Sequence, residues 1–204
     1  MGYTHYWRMP KEVNNENFSK VVRDYVKCLP VLEHLGVELA AWDGEGKPLV
    51  TENIISFNGK INCGHKSRNL GITWPSEEGS GISNQTLDSV LTGQYDSDVS
   101  GQWSGGAEIR KRTCGGNCSH ESFILEASYQ PENWQEPNEN KYSHLCKTAF
   151  KPYDLAVNIS LIIAKHHLND EILVSSDGEL NHWKDGMLIC QHLLGYGLDF
   201  ELEK

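Results

Sequence analysis

The sequence predicts an α+β fold, with about three helices packed on a largely antiparallel sheet in a single domain over 1–204. Three observations carry this. Helical apolar spacing recurs in three separate stretches. Short β-rich runs between them stop at hairpin-type turns. A chain of 204 residues suffices for one sizeable core.

Taken in order, Gly2 to Met9 reads as a first strand, with Tyr3, His5 and Trp7 on one face and Thr4, Tyr6 and Arg8 on the other. Pro10 ends it. Asn14 or Asn15 can cap a helix whose face is Phe18, Val21, Val22, Tyr25, Val26 and Leu29, and Pro30 kinks or ends that helix. Val37 to Trp42 is strand-like and runs into the turn Asp43 to Pro48. Asn53 to Phe57 is a further strand stopped by Asn58-Gly59, and Leu70 to Trp74 is a short one. The stretch 75–106 is rich in Gly, Ser, Asp and Gln and reads as a long flexible or lid-like loop, with a short helix at Ser83 to Leu91. Ser122 to Ala127 is a strand, and Pro131 to Asn140 is a polar loop around Trp134.

The most apolar helix lies within His144 to His167. Pro152 suits the first helical position and Asp154 the first turn. Leu155, Ile159, Ile162, Ile163 and His166 follow helical spacing, while Val157 and Leu161 are apolar on the other side, so the helix is expected to be buried nearly all round. Glu171 to Ser175 is the next strand. Asp177 or Asn181 caps a third helix with Trp183, Met187, Cys190 and Leu194 inward and Gly195 at its end. Leu198, Phe200 and Leu202 alternate as an edge strand.

The net charge is −10, from 18 basic and 28 acidic residues, which argues against general nucleic-acid binding. No apolar run is long enough to span a membrane. The start MGYTHYWRMP lacks the apolar run of a signal peptide, so the expectation is a soluble cytoplasmic protein. Its six cysteines would then be thiols or metal ligands.

Two places could carry chemistry. Lys147, Thr148, Lys151, Tyr153 and Asp154 crowd the start of the central helix, a natural site for an anion. The second place is an internal echo: Asn62-Cys63-Gly64-His65-Lys66-Ser67 is matched by Asn117-Cys118-Ser119-His120-Glu121-Ser122. In one reading Cys63, His65, Cys118 and His120 bind zinc, with Cys114 as a spare ligand. In another, His65-x-Ser67 and His120-x-Ser122 resemble the paired motifs of the 2H phosphoesterases, which implies two histidines working as acid and base. His5 is a substitute for the first of them, although Trp7 stands where that family has Ser or Thr. The third reading is coincidence in loops whose histidines and cysteines bond the backbone. There is no GxGxxG and no GxxxxGK[ST], which disfavours nucleotide-dependent hydride transfer and P-loop chemistry.

The opening Met1 to Trp7, the Phe57-Asn58-Gly59 stretch, Ser119 to Phe123, the Cys146 to Asp154 block and Ser175 to Gly178 together resemble an uncharacterised family of bacterial and phage proteins. The resemblance implies a soluble, phage-borne protein in the host cytoplasm and transfers no catalytic residue.

The leading expectation is a protein that binds, and in one version cleaves, an anionic nucleotide-like small molecule, for example to counter a host nucleotide signal. Lys147, Lys151 and the N-terminus of the central helix would hold the phosphate, Tyr153 and Tyr6 or Trp7 the base or ribose, with Thr148 and Asp154 also counted among the ligand-binding residues, and His5 and His120 would do acid–base work if the ligand is cleaved. No cofactor is required in that reading. The rival is a zinc-stabilised, non-enzymatic interaction or inhibitor protein with a protein partner or a second copy of itself.

Overall fold

A computed structural model of the chain describes residues 2–65, 69–75 and 107–203. The helix expected at Ser83 to Leu91 and, beyond Pro75, the loop expected over 75–106 lie outside them. The described elements are β1 (Thr4–Met9), α1 (Asn15–His34), β2 (Leu39–Ala40), β3 (Leu49–Thr51), β4 (Ile54–Gly59), β5 (Asn69–Pro75), β6 (Ala107–Thr113), β7 (Phe123–Glu126), β8 (Tyr142–Lys147), α2 (Asp154–Leu168), β9 (Leu173–Ser176) and α3 (Lys184–Leu194). All strand pairing is antiparallel, so the α+β reading holds.

β1 is the middle strand of a sheet ordered β8-β1-β9. Its alternation buries His5, Trp7 and Met9 while Tyr6 stays exposed. β4 is the middle of a second sheet, with β7 along Ile54–Phe57, β3 against Ile54–Ser56 and β2 against Asn58 and Gly59. Trp7 meets Phe123 at 5.1 Å between ring centroids, and Phe123 meets Phe57 at 5.0 Å, so aromatic rings join the two inner faces. Among the described residues, β5 and β6 pair with each other alone.

α1 begins where Asn14 accepts the Asn17 N–H at 3.0 Å. It buries Phe18, Val21, Tyr25, Cys28 and Leu32. The helix runs through Pro30 to His34 instead of ending there. The carbonyl left without a donor belongs to Val26, an exposed residue, where water can serve it. α2 lies between α1 and α3. Every residue from Asp154 to Ala164 is buried, as its two-sided apolar pattern predicts.

Three expectations change. β4 continues through Asn58-Gly59, because the Asn58 side chain is buried in hydrogen bonds that a turn would break. Asp177 caps no helix; it accepts the Thr4 N–H at 3.0 Å and the Tyr6 hydroxyl at 3.2 Å, and a 3-10 turn at Leu180–Trp183 leads into α3. Leu198 to Leu202 forms no strand: Gly197 at φ 121° redirects the chain, the Phe200 N–H turns back onto the Gly197 carbonyl, and the Glu203 N–H bonds the Val174 carbonyl. Gly195, at φ 83°, closes α3 as expected. No helix among the described residues is long and apolar enough to cross a membrane.

The C-terminal end of α2 is fixed to α1 by charge. Asp24 is bonded by Lys27 at 2.7 Å, His167 at 2.8 Å and Tyr196 at 2.9 Å. Burial alone would raise its carboxyl, but these bonds hold it at about 2. A carboxyl depressed in the folded state contributes stability that is complete above its unfolded value near 4 and is lost as pH falls toward 2. Asp24→Asn is therefore expected to cost about 1–3 kcal/mol at neutral pH in urea unfolding. The same variant should flatten the acid dependence of stability below pH 4.

Candidate metal centre

The residues around the end of β4 explain how two distant cysteine segments meet. The Asn58 amide donates to the carbonyls of His120 at 2.9 Å and Trp42 at 3.2 Å, and its oxygen accepts the His120 N–H at 3.0 Å. The Cys118 N–H bonds the Lys60 carbonyl at 3.0 Å. A Cβ at Gly59 would sit 2.0 Å from the Cys118 carbonyl, so the two backbones approach as only glycine allows. Cys63 then follows β4 across a turn in which Asn62 and Gly64 have positive φ.

The result is a cluster of Cys63, His65, Cys114 and Cys118 whose ligand atoms all lie within 4.8 Å of one another. The Cys63 and Cys114 sulfurs are 3.6 Å apart, and His65 Nδ1 is 3.4 Å from both the Cys114 and Cys118 sulfurs. With zinc–sulfur bonds of about 2.3 Å and zinc–nitrogen bonds of about 2.0–2.1 Å, a tetrahedral ion needs edges of about 3.8 and about 3.5 Å. The three cysteines form an apolar cluster of their own, apart from the main core. Burial would raise the Cys63 thiol, but N–H groups of His65 and Cys118 and the neighbouring thiols, aimed at its sulfur, lower it.

The outer nitrogen of His65 is also engaged. His65 Nε2 lies 3.4 Å from a Glu38 carboxylate oxygen, and Lys60 Nζ is 3.0 Å from that carboxylate. A carboxylate on one imidazole nitrogen fixes the ring so that the other can face a metal. Neither Glu38 nor Lys60 carries a sequence signal for this role; β2 and the end of β4 bring them there.

This corrects one expected ligand. His120 is exposed, its backbone is tied to Asn58, and Cys114 takes the fourth place. The reason is the glycine pair 115–116, with Gly116 at φ 87°, which turns the chain so that Cys114 and Cys118 face the same point. All six cysteines are free thiols, and Cys28, Cys146 and Cys190 belong to the main core.

Of the other expected site residues, His5 and Thr148 meet at Asp154, in the interior. His5 Nε2 is 2.7 Å from Asp154 Oδ1, the Thr148 hydroxyl donates to the same oxygen, and Arg112 Nε donates to Oδ2 at 3.0 Å. Both outer nitrogens of Arg112 donate to Asp185. His5, Thr148, Asp154 and Asp185 are fully buried, and Arg112 is 1 % exposed. Burial opposes ionisation of Asp154, yet His5, Arg112 and Thr148 hold its carboxyl at about 2. The sequence reads Arg110-Lys111-Arg112 as a local basic cluster able to grip a phosphate-bearing small molecule, whereas the Arg112 guanidinium turns inward onto two carboxylates.

The start of α2 faces this interior as well. The N–H groups of Asp154, Leu155 and Ala156 donate to the carbonyls of Lys151, Pro152 and Tyr153. Tyr153 is buried with its hydroxyl on the Glu121 carbonyl at 2.7 Å, and Lys151 Nζ is bonded to the carbonyls of Asn117 and Ser119. Trp7 is buried and Lys147 half-buried; Tyr6 is the one exposed member of the expected ligand set. Comparisons with known protein families, with curated proteins and with solved structures found no match.

Asn58→Ala should cost about 1–3 kcal/mol by leaving buried backbone groups unpaired. It should also speed the reaction of Cys63 and Cys118 with a thiol reagent, measured by mass spectrometry of the labelled peptides.

Proposed function

We propose that Cys63, His65, Cys114 and Cys118 hold a zinc ion as a closed structural centre, and that the chain acts as a zinc-stabilised interaction protein. The observation that carries the reading is that the four ligand atoms lie within 4.8 Å of one another, with three of their separations at 3.4–3.6 Å, close to the edges of a tetrahedral zinc site. Three thiolates and one imidazole are soft and borderline donors of the kind zinc prefers. Four protein ligands leave no open position for a substrate, which separates a structural centre from a catalytic one. The carboxylate behind His65 supports the same reading. A non-enzymatic role fits the burial of His5 and Asp154, whose reactive atoms meet each other and not solvent.

Elemental analysis of protein purified without chelators tests this. Zinc near one equivalent per chain is expected, retained in His120→Ala and lost in Cys118→Ser and His65→Ala. Cobalt substitution should give the visible absorption of a tetrahedral thiolate site. Metal-free protein that also fails to take up added zinc would sink the reading. Glu38 lies at the wall of an open surface cavity of about 680 Å³, so it can be changed without opening the core. Glu38→Gln should lower zinc affinity about 10–100-fold in a chelator competition while the fold persists by circular dichroism.

A further inference from the structure

The cysteine–histidine centre and the buried ion cluster share one short piece of chain. Arg112, the last but one residue of β6, is buried, and Cys114 follows two positions later. Cys63 and His65 precede β5, whereas Cys114 and Cys118 follow β6, so the centre joins the two legs of this ribbon where they leave the body. Among the described residues the ribbon has no third strand. A two-stranded hairpin alone is marginal in water and needs other ties. One tie is the centre. The other is Arg112, whose guanidinium reaches Asp154 at the start of α2 and Asp185 in the first turn of α3, beneath the Phe150 ring at 5.2 Å.

We propose that metal occupancy of the centre and seating of Arg112 in the ion cluster are one coupled equilibrium, with the metal acting as a latch on β6. The inference rests on the zinc reading above. Two residues of extended chain reach about 7 Å, so Cys114 cannot move far from its ligands without drawing Arg112 with it. Withdrawal of Arg112 leaves two buried carboxylates without their guanidinium, and an uncompensated buried charge is strongly unfavourable. The two states therefore differ sharply, and zinc binds the seated one. Linkage requires the reverse effect of equal size: whatever weakens Arg112 in its socket must weaken zinc. Zinc removal would thus loosen β1, α2 and α3 at the points where His5, Asp154 and Asp185 depend on Arg112, well away from the sulfurs.

The test uses the full-length protein, zinc-loaded and zinc-stripped. Zinc content is measured first. Hydrogen exchange is then followed by mass spectrometry in both states. The latch predicts that stripping removes protection from 107–113 together with the first turns of α2 and α3. Loss confined to 62–65 and 114–118 overturns the latch while leaving the zinc reading intact. In the reciprocal arm, Arg112→Lys keeps one charge but loses the fork that reaches two carboxylates. It should weaken zinc, measured by chelator competition, about 5–150-fold. Val21→Ala is the control for general destabilisation, since Val21 is buried on α1, a helix that supplies no residue to either site; its zinc affinity should equal wild type. Unchanged affinity in Arg112→Lys, or equal weakening in both variants, overturns the latch. A wild-type chain that holds no zinc overturns both the latch and the reading beneath it.

Discussion

The ion cluster around Asp154 is the constraint on which the arrangement of elements depends. His5 comes from β1, Thr148 from the turn after β8, Arg112 from β6 and Asp185 from α3, and all converge on or next to one carboxylate. Removing charges from water costs several kcal/mol per ion, and only well-formed pairing returns it. Such a cluster adds little net stability. What it contributes is selectivity: a shift of any contributing element leaves a bare charge in an apolar interior. The apolar contacts of α2 would tolerate small slides of the neighbouring helices, because Leu, Ile and Val surfaces are interchangeable to a first approximation. The carboxylate would not.

The chain accepts local strain to build this socket. Ala149 and Phe150 are consecutive left-handed residues at φ 51° and 55°, a conformation that side chains with a Cβ rarely adopt. The reversal is held by the Tyr3 carbonyl, which accepts the Thr148 and Ala149 N–H groups at 2.9 and 3.2 Å. It allows the chain to leave β8 at the sheet, place Phe150 over the guanidinium and enter α2 with Asp154 pointing inward. The residues just before α2 thus work as a corner, and the helix start is spent on interior bonding.

Periodic features were legible in the sequence. The Asn14 cap of α1, the buried α2, the alternation of β1 and the Gly195 stop follow from local pattern and turn chemistry; the face of α1 follows in part, since Phe18, Val21 and Tyr25 are buried but Val26 is exposed. The two-fold Asn-Cys-x-His-x-Ser echo led to three of the four clustered ligands and misassigned the fourth, because repetition favoured His120 over Cys114. The deciding factor is three-dimensional: a Gly-Gly turn brings Cys114 back to Cys118, while Asn58 pins the backbone of His120. β6 and β8 went unread since their polar composition masks the alternation, and β3, at three residues, is too short to show one; strand formation there depends on the partner. Arg112 shows the sharpest limit. A basic triplet reads as a local grip for a phosphate, and nothing local distinguishes the one arginine that two distant carboxylates draw inside.

His65 and Cys114 lie 49 positions apart in sequence, yet their ligand atoms are 3.4 Å apart. Everything between them is a closed loop with its ends already joined. The entropy of closing such a loop rises only with the logarithm of its length, by about 0.6 kcal/mol for each doubling. Lengthening the chain inside the loop would therefore cost the body of the protein little, provided that both legs of the β5–β6 ribbon are kept. The neck formed by Cys63, His65, Cys114 and Cys118 is therefore the point beyond which added chain length costs the body of the protein little, and so a position at which foreign sequence can be grafted.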